Sequence, residues 1–189
     1  MRKIAAPILF VLFALQLYVP AQMIYQQENT LTIGTAYKFK TRPIDPTDPF
    51  RGKYITLNYE VNSFQTDEDW SDYSGSVFVY LVTDDEGFAQ VKTVSKTLLD
   101  IDNDYVIAES NYNYGKTVHF NLPFNRFYMN ENKAYDAEVS VREAQRDSTK
   151  TCYGIVYIKE GTAVLDNIFI DDVPIQQFIG QYQNKNWSG

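Results

Sequence analysis

The stretch R-P-I-D-P-T-D-P-F-R-G-K-Y-I-T-L-N-Y-E, residues 42–60, decides the fold class. In its second half Ile55, Leu57 and Tyr59, followed by Val61, alternate with Tyr54, Thr56, Asn58, Glu60 and Asn62. A period of two with apolar residues on one side is the pattern of a half-buried β-strand. The first half is a stiff lead-in. Each residue before a proline is pushed toward extended geometry, which applies to Arg42, Asp45 and Asp48. Asp45 and Asp48 can accept hydrogen bonds from the N–H groups of Thr47 and Phe50, making successive Asx turns. Arg42 and Arg51 can lock the loop by charge-assisted bonds to those aspartates, and Gly52 permits a tight entry into the strand. Two readings compete. The first is a rigid corner that sets strand register. The second is a preorganised recognition loop built from Arg42, Asp45, Asp48, Arg51, Gly52, Tyr54 and Tyr59. Carboxylate catalysis by Asp45, Asp48 or Glu60 ranks behind both.

Period two continues through most of the chain. Val77 to Val82 and Ala89 to Val94 flank Asp84-Asp85-Glu86-Gly87, and Tyr105 to Ala108 and Lys116 to Leu122 flank residues 111–115; each pair predicts a β-hairpin. Further strands are expected at Thr35 to Thr41, Arg126 to Met129, Ala134 to Val141, Gly154 to Lys159 and Ala163 to Ile170. The last two are joined by a short loop, Glu160-Gly161-Thr162. Ile175, Phe178, Ile179 and Tyr182 have helical spacing and predict a short C-terminal helix over Pro174 to Gln183. Gln65 to Gly75 and Gln145 to Lys150 read as polar loops. Turn signals at roughly ten-residue intervals imply a mostly β chain, an antiparallel sandwich or barrel-like sheet.

Before this region, Ile4 to Tyr25 is a run of 22 residues without a charge. As a helix it spans about 33 Å, enough for a hydrocarbon core of about 30 Å. Arg2 and Lys3 precede it and the first later cation is Lys38, so the N-terminus is expected in the cytoplasm and the rest outside. A signal peptide cut near Val19-Pro20-Ala21 is the alternative. The uncleaved transmembrane anchor is preferred, because apolar residues continue past that cut. Residues 1–25 are thus expected to be the anchor, 26–183 a single extracytoplasmic β-rich domain, and 184–189 a flexible tail. The five residues Gln26 to Thr30, if extended, reach only about 17 Å and keep the domain close to the bilayer.

Composition excludes several classes. The whole chain carries a formal charge of −7, and the part after Arg2 and Lys3 is more acidic still, which disfavours nucleic acid and anionic lipid surfaces. The 15 tyrosines and 12 phenylalanines fit half-buried strands, a reading preferred to an aromatic sugar-binding platform. Asp67, Asp69 and Ser71, like Asp100, Asp102 and Asp104, alternate oxygens but lack the glycine and glutamate of an EF-hand loop. His119 is the sole histidine and lies inside a predicted strand; Cys152 is the sole cysteine and reads as a small buried hydrophobe. No nucleophile elbow, zinc motif or phosphate loop is present, and no cofactor or metal is expected.

At Pro43 to Tyr59 the chain resembles the bacterial family named for its G-D-Y-x-x-L-x-Y motif. Gly52, Tyr54, Leu57 and Tyr59 match the motif, and Lys53 stands where the family has aspartate. Pro43, Asp45, Pro46, Asp48, Pro49, Phe50 and Arg51 match the lead-in typical of its members. The resemblance brings no established activity. It implies a membrane-anchored protein that works beside a multi-spanning membrane protein. The expectation is therefore a single-pass protein of the bacterial cytoplasmic membrane whose outer domain is an interaction or accessory module. A cell-envelope hydrolase using loop carboxylates and a secreted ligand-binding module are the rivals.

Overall fold

The structure is a computed structural model that describes residues 2–42, 54–129 and 150–179, and, between the last two stretches, Ala137, Val139, Val141 and Ala144. The side chains of residues 2–8 and Val11 are outside the described set. Asp45, Asp48, Arg51 and Gly52, the Asx turns and most of the lead-in also lie outside it, as do residues 145–149 and 180–189.

Helix α1 runs unbroken over Arg2–Ile33. The extended tether expected after Tyr25 is therefore helical, and rises about 1.5 Å per residue instead of an extended residue's 3.3 to 3.6 Å. From Leu9 to Glu28 every described side chain of α1 is exposed; contact with the body begins at Asn29 and Thr30. Among the described residues no helix is long and apolar enough to cross a membrane. The described side chains omit much of the uncharged run's first third.

Gly34 ends the helix and starts the sheet. Its N–H donates to Thr30 O at 2.9 Å, and a Cβ there would stand 2.4 Å from that same oxygen and 3.0 Å from Ile158 O. Only glycine lets the helix end lie this close to the neighbouring strand.

Among the described residues twelve strands follow: β1 Thr35–Arg42, β2 Tyr54–Thr56, β3 Asn58–Tyr59, β4 Ser63–Gln65, β5 Ser76–Thr83, β6 Ala89–Ser95, β7 Tyr105–Ser110, β8 Thr117–Asn121, β9 Arg126–Tyr128, β10 Cys152–Lys159, β11 Thr162–Ile170 and β12 Val173–Pro174. They form a five-stranded sheet in the order β12-β11-β10-β1-β3, a pair β2-β9, and a second five-stranded sheet in the order β4-β8-β7-β5-β6. All ladders between these strands are antiparallel, while single parallel bridges at Lys38–Phe88 and Val106–Gly161 connect the two large sheets. The result is mostly β and barrel-like, nearly closed. Both predicted hairpins form. The β10–β11 turn has positive φ at Glu160 (48°) and Gly161 (83°), the backbone that matches the strand twist of a two-residue hairpin loop.

The expected strand from Ala134 to Val141 is corrected: Ala137, Val139, Val141 and Ala144 are helical. Ala137, Val141 and Ala144 are the buried ones, at i, i+4 and i+7, which is one helix face. Residues 137, 139 and 141 also fit a period of two, and Ala144 separates the patterns. At the C-terminus residues 175–179 are helical, with Ile175 and Ile179 buried as their spacing predicts. The polar loop after Gln65 hides an anchor: Trp70 is buried, packs edge-on to Tyr73 and is covered by the Lys96 ammonium 4.5 Å from its ring centre.

Gly34→Ala is expected to destabilise the folded chain by about 1–3 kcal/mol, because the added methyl meets backbone that cannot move without breaking the β1–β10 ladder. Thermal unfolding checks this, with Gly87→Ala as a comparison at a glycine whose added Cβ would have open space around it but whose φ of 85° still carries strain. Equal loss at both positions removes the packing argument.

Candidate functional site

The corner quoted first is built by one segment with three successive partners. Tyr54, Ile55 and Thr56 pair with Tyr128, Phe127 and Arg126, and the Leu57 N–H donates to Asn125 O at 2.8 Å, which extends that ladder. The chain then leaves β9 for β1, where Tyr59 lies opposite Thr41 and Asn58 opposite Arg42, and the Glu60 N–H donates to Lys40 O. After a step at Asn62, whose carbonyl accepts from Phe120 N–H, residues 63–65 pair with β8. The predicted single strand is thus three short ones in three ladders. Its face assignment survives the splitting: Ile55, Leu57, Tyr59 and Val61 are all buried.

Tyr59 is a core residue. Its ring meets Phe39 and Phe124 at centroid distances of 5.7 and 5.2 Å, and its hydroxyl donates to Phe124 O at 3.0 Å. Burial pushes its pKa well above the usual phenol range, so it stays a neutral donor. Tyr54, three residues earlier than Leu57, faces the other way. It is half-buried against Tyr128 at 5.5 Å, with the Arg126 guanidinium 5.0 Å from its ring centre. Arg42 is exposed at the end of β1 and its Nη2 donates to Glu60 O at 3.1 Å. Glu60 itself is exposed.

Arg42 and Tyr59 border a cavity of about 260 Å³. Its rim carries four asparagines, Asn58, Asn62, Asn121 and Asn125, brought from two separate parts of the chain. These residues had no signal in the sequence, since asparagines scattered over 68 positions form no motif. His119 is stacked on Tyr112, with ring centres 5.3 Å apart and 25° between planes. Cys152 is buried and its thiol is pushed up to about 11, chiefly by burial and then by Asp171. Asp69 spends its Oδ1 on the N–H and hydroxyl of Ser71, and Asp104 accepts from the Tyr37 hydroxyl. No cluster of three metal-ligating side chains occurs among the described residues.

Compared with known proteins, residues 16–168 match the model of a family described as GDYXXLXY protein. No curated protein and no solved structure matches the chain. Of the motif positions, Gly52 and Lys53 lie outside the described residues. The other three divide into one surface residue and two core residues: Tyr54 on the outer face, Leu57 and Tyr59 within. The odd spacing from tyrosine to leucine and the even spacing from leucine to tyrosine follow from the alternation of side chains along a strand.

Tyr59→Phe is expected to lower stability by about 1–2 kcal/mol through loss of a buried donor, and Tyr59→Ala by about 3–5 kcal/mol. Chemical unfolding measures both, and a cost for Tyr54→Ala as large as for Tyr59→Ala contradicts the division between surface and core. Alkali gives a second check. Tyr37 is raised from 10.0 to about 12 by burial and by Asp104, and Cys152 from 9.0 to about 11. Both groups hold their protons more tightly folded than unfolded, so their contribution is complete below pH 9 and is lost as pH climbs through the folded values. The melting temperature is expected to fall between pH 9 and 12, and Cys152 to alkylate slowly at pH 8 until the chain is unfolded.

Proposed function

Because the chain belongs to the GDYXXLXY protein family, we propose that it is a single-pass membrane protein whose β domain is an interaction or accessory module for a multi-spanning membrane protein. The observation that carries this reading is the surface of α1. Leu9, Phe10, Leu12, Phe13, Leu15 and Leu17 are each more than half exposed, and Tyr18, Val19, Met23, Ile24 and Tyr25 continue the series. A helix that is apolar on all sides needs an apolar surround on all sides, and the domain does not provide one. With Ile4 to Phe13 included, the uncharged run is long enough for a bilayer, and Arg2 and Lys3 favour a cytoplasmic N-terminus.

The helical continuation through Ile33 bears on what such a module does. An anchor joined to its domain by a flexible linker leaves the domain free to turn. Here the junction is an unbroken helix ending at Gly34, so the domain keeps one orientation to the helix axis. From Tyr25 to Ile33 the rise is about 12 Å, which holds the β body just above the membrane surface. That geometry suits lateral contact with a membrane partner better than pursuit of a soluble substrate.

Leu12→Arg combined with Leu15→Arg is expected to shift the chain out of the membrane fraction, since each arginine near the centre of a spanning helix costs about 3 kcal/mol of insertion. Sedimentation of membranes, with protease added to one side, reads both insertion and topology. Mild solubilisation followed by affinity capture is expected to recover a multi-spanning protein, less of it with Arg51→Ala. An unchanged membrane fraction for the double variant, or capture that recovers no membrane protein, ends this reading.

A further inference from the structure

The cavity at the motif corner has a chemistry that the proposal above does not use. Each asparagine amide offers two donors and two acceptor lone pairs. Of the four cavity asparagines, Asn121 has a side-chain partner among the described residues: its Nδ2 donates to Asn111 Oδ1 at 2.8 Å. The side-chain amides of Asn58, Asn62 and Asn125 have none there, and all three border the same space. The surrounding main chain is already committed. Asn125 O accepts from Leu57, Asn62 O accepts from Phe120, and Asn58 is paired with Arg42. An added peptide strand therefore finds little backbone to bond with at this place, whereas a ligand that bonds side-chain amides finds three. Among the described residues no carboxylate lines the cavity, and Arg42, whose Nη2 donates to Glu60 O, is the charged residue at its border. The complementary ligand carries groups that both donate and accept, as hydroxyls do.

An aromatic surface lies beside it, reached through the Asn111–Asn121 contact. At the tip of the β7–β8 hairpin Tyr112 is 77% exposed and stacked on His119. The tip is held firmly: Asn113 Nδ2 donates to Tyr73 O at 2.8 Å, Asn113 Oδ1 accepts from His119 N–H at 3.0 Å, and the Gly115 N–H donates to Ser71 Oγ at 3.0 Å. A tyrosine displayed on a rigid tip loses little entropy when something packs on its face. Amides that bond hydroxyls next to a fixed aromatic face make the combination a pyranose ring requires, with polar edges and an apolar face.

We propose that the asparagine-lined cavity and the Tyr112 tip form one binding groove for an oligosaccharide. The groove does not depend on α1 entering a bilayer, so the two readings fail separately.

The test uses the full-length chain in a detergent whose head group is not a sugar. Titration with the tetramer of N-acetylglucosamine and with the tetramer of glucose, followed by calorimetry and by the side-chain amide signals of asparagine, reads binding directly. Saturable binding is expected for at least one sugar, with the shifted signals belonging to the cavity asparagines. Asn125→Ala is expected to weaken it roughly tenfold, the size of one lost hydrogen bond. Tyr112→Ala, at an exposed position, is expected to weaken it by a similar factor while leaving the melting temperature unchanged. No saturable binding at roughly 10 mM sugar, well above the ~1 mM constants of weak complexes, overturns the proposal. So does binding that is unaffected by both substitutions, or tetra-alanine binding more tightly than either sugar.

Discussion

The constraint on which this structure depends is the change of partners between Tyr54 and Gln65. Within twelve residues the chain pairs with β9, then β1, then β8, and so belongs in turn to each of the three sheets. Such a segment cannot be stabilised by one ladder, because each is only two to four residues long. What holds it is the side that faces inward. Leu57 and Tyr59 sit in the core at the point where the chain leaves one ladder for the next, and the Tyr59 hydroxyl reaches Phe124, just before β9, while its ring packs on Phe39 of β1. One side chain thereby links two of the partners that the backbone bonds in succession.

This accounts for the motif that names the family without appeal to catalysis. Two of its described positions are core residues that hold the switch, and the third, Tyr54, presents a ring to the outside between Tyr128 and Arg126. The switch also shapes the recess that Asn58 and Asn62 border together with Asn121 and Asn125. A segment that stayed in a single ladder would present every other residue along one flat face. By stepping between ladders it opens a recess at the corner, rimmed by the polar residues that alternate with the core ones.

The same economy governs the junction with α1. A helix end normally leaves carbonyls to be satisfied by water or by a cap. Here Thr30 O accepts from Gly34, and the absent side chain at Gly34 lets Ile158 of β10 come alongside. The helix is continuous with the sheet it introduces. Whatever surrounds the apolar part of α1 is coupled mechanically to β1, and through β1 to the corner at its far end, where Arg42 lies opposite Asn58.

Local pattern determined much of this. The alternation at Ile55, Leu57, Tyr59 and Val61, the two hairpins with their Asp- and Asn-rich turns, the Glu160-Gly161 turn and the helical spacing of Ile175 and Ile179 are all properties of neighbouring residues, and neighbours are what a sequence displays. The uncharged run from Ile4 to Tyr25 is equally plain. Where two periods fit the same residues, as at Ala137, Val139 and Val141, local pattern was ambiguous and burial of Ala144 decided for a helix. The division of one alternating stretch among three ladders, the burial of Trp70 in a polar loop and the gathering of four asparagines around one recess were decided by tertiary structure alone. Alternation states which way a side chain faces, but not which strand lies beside it, because that choice rests on contacts between residues far apart in the chain.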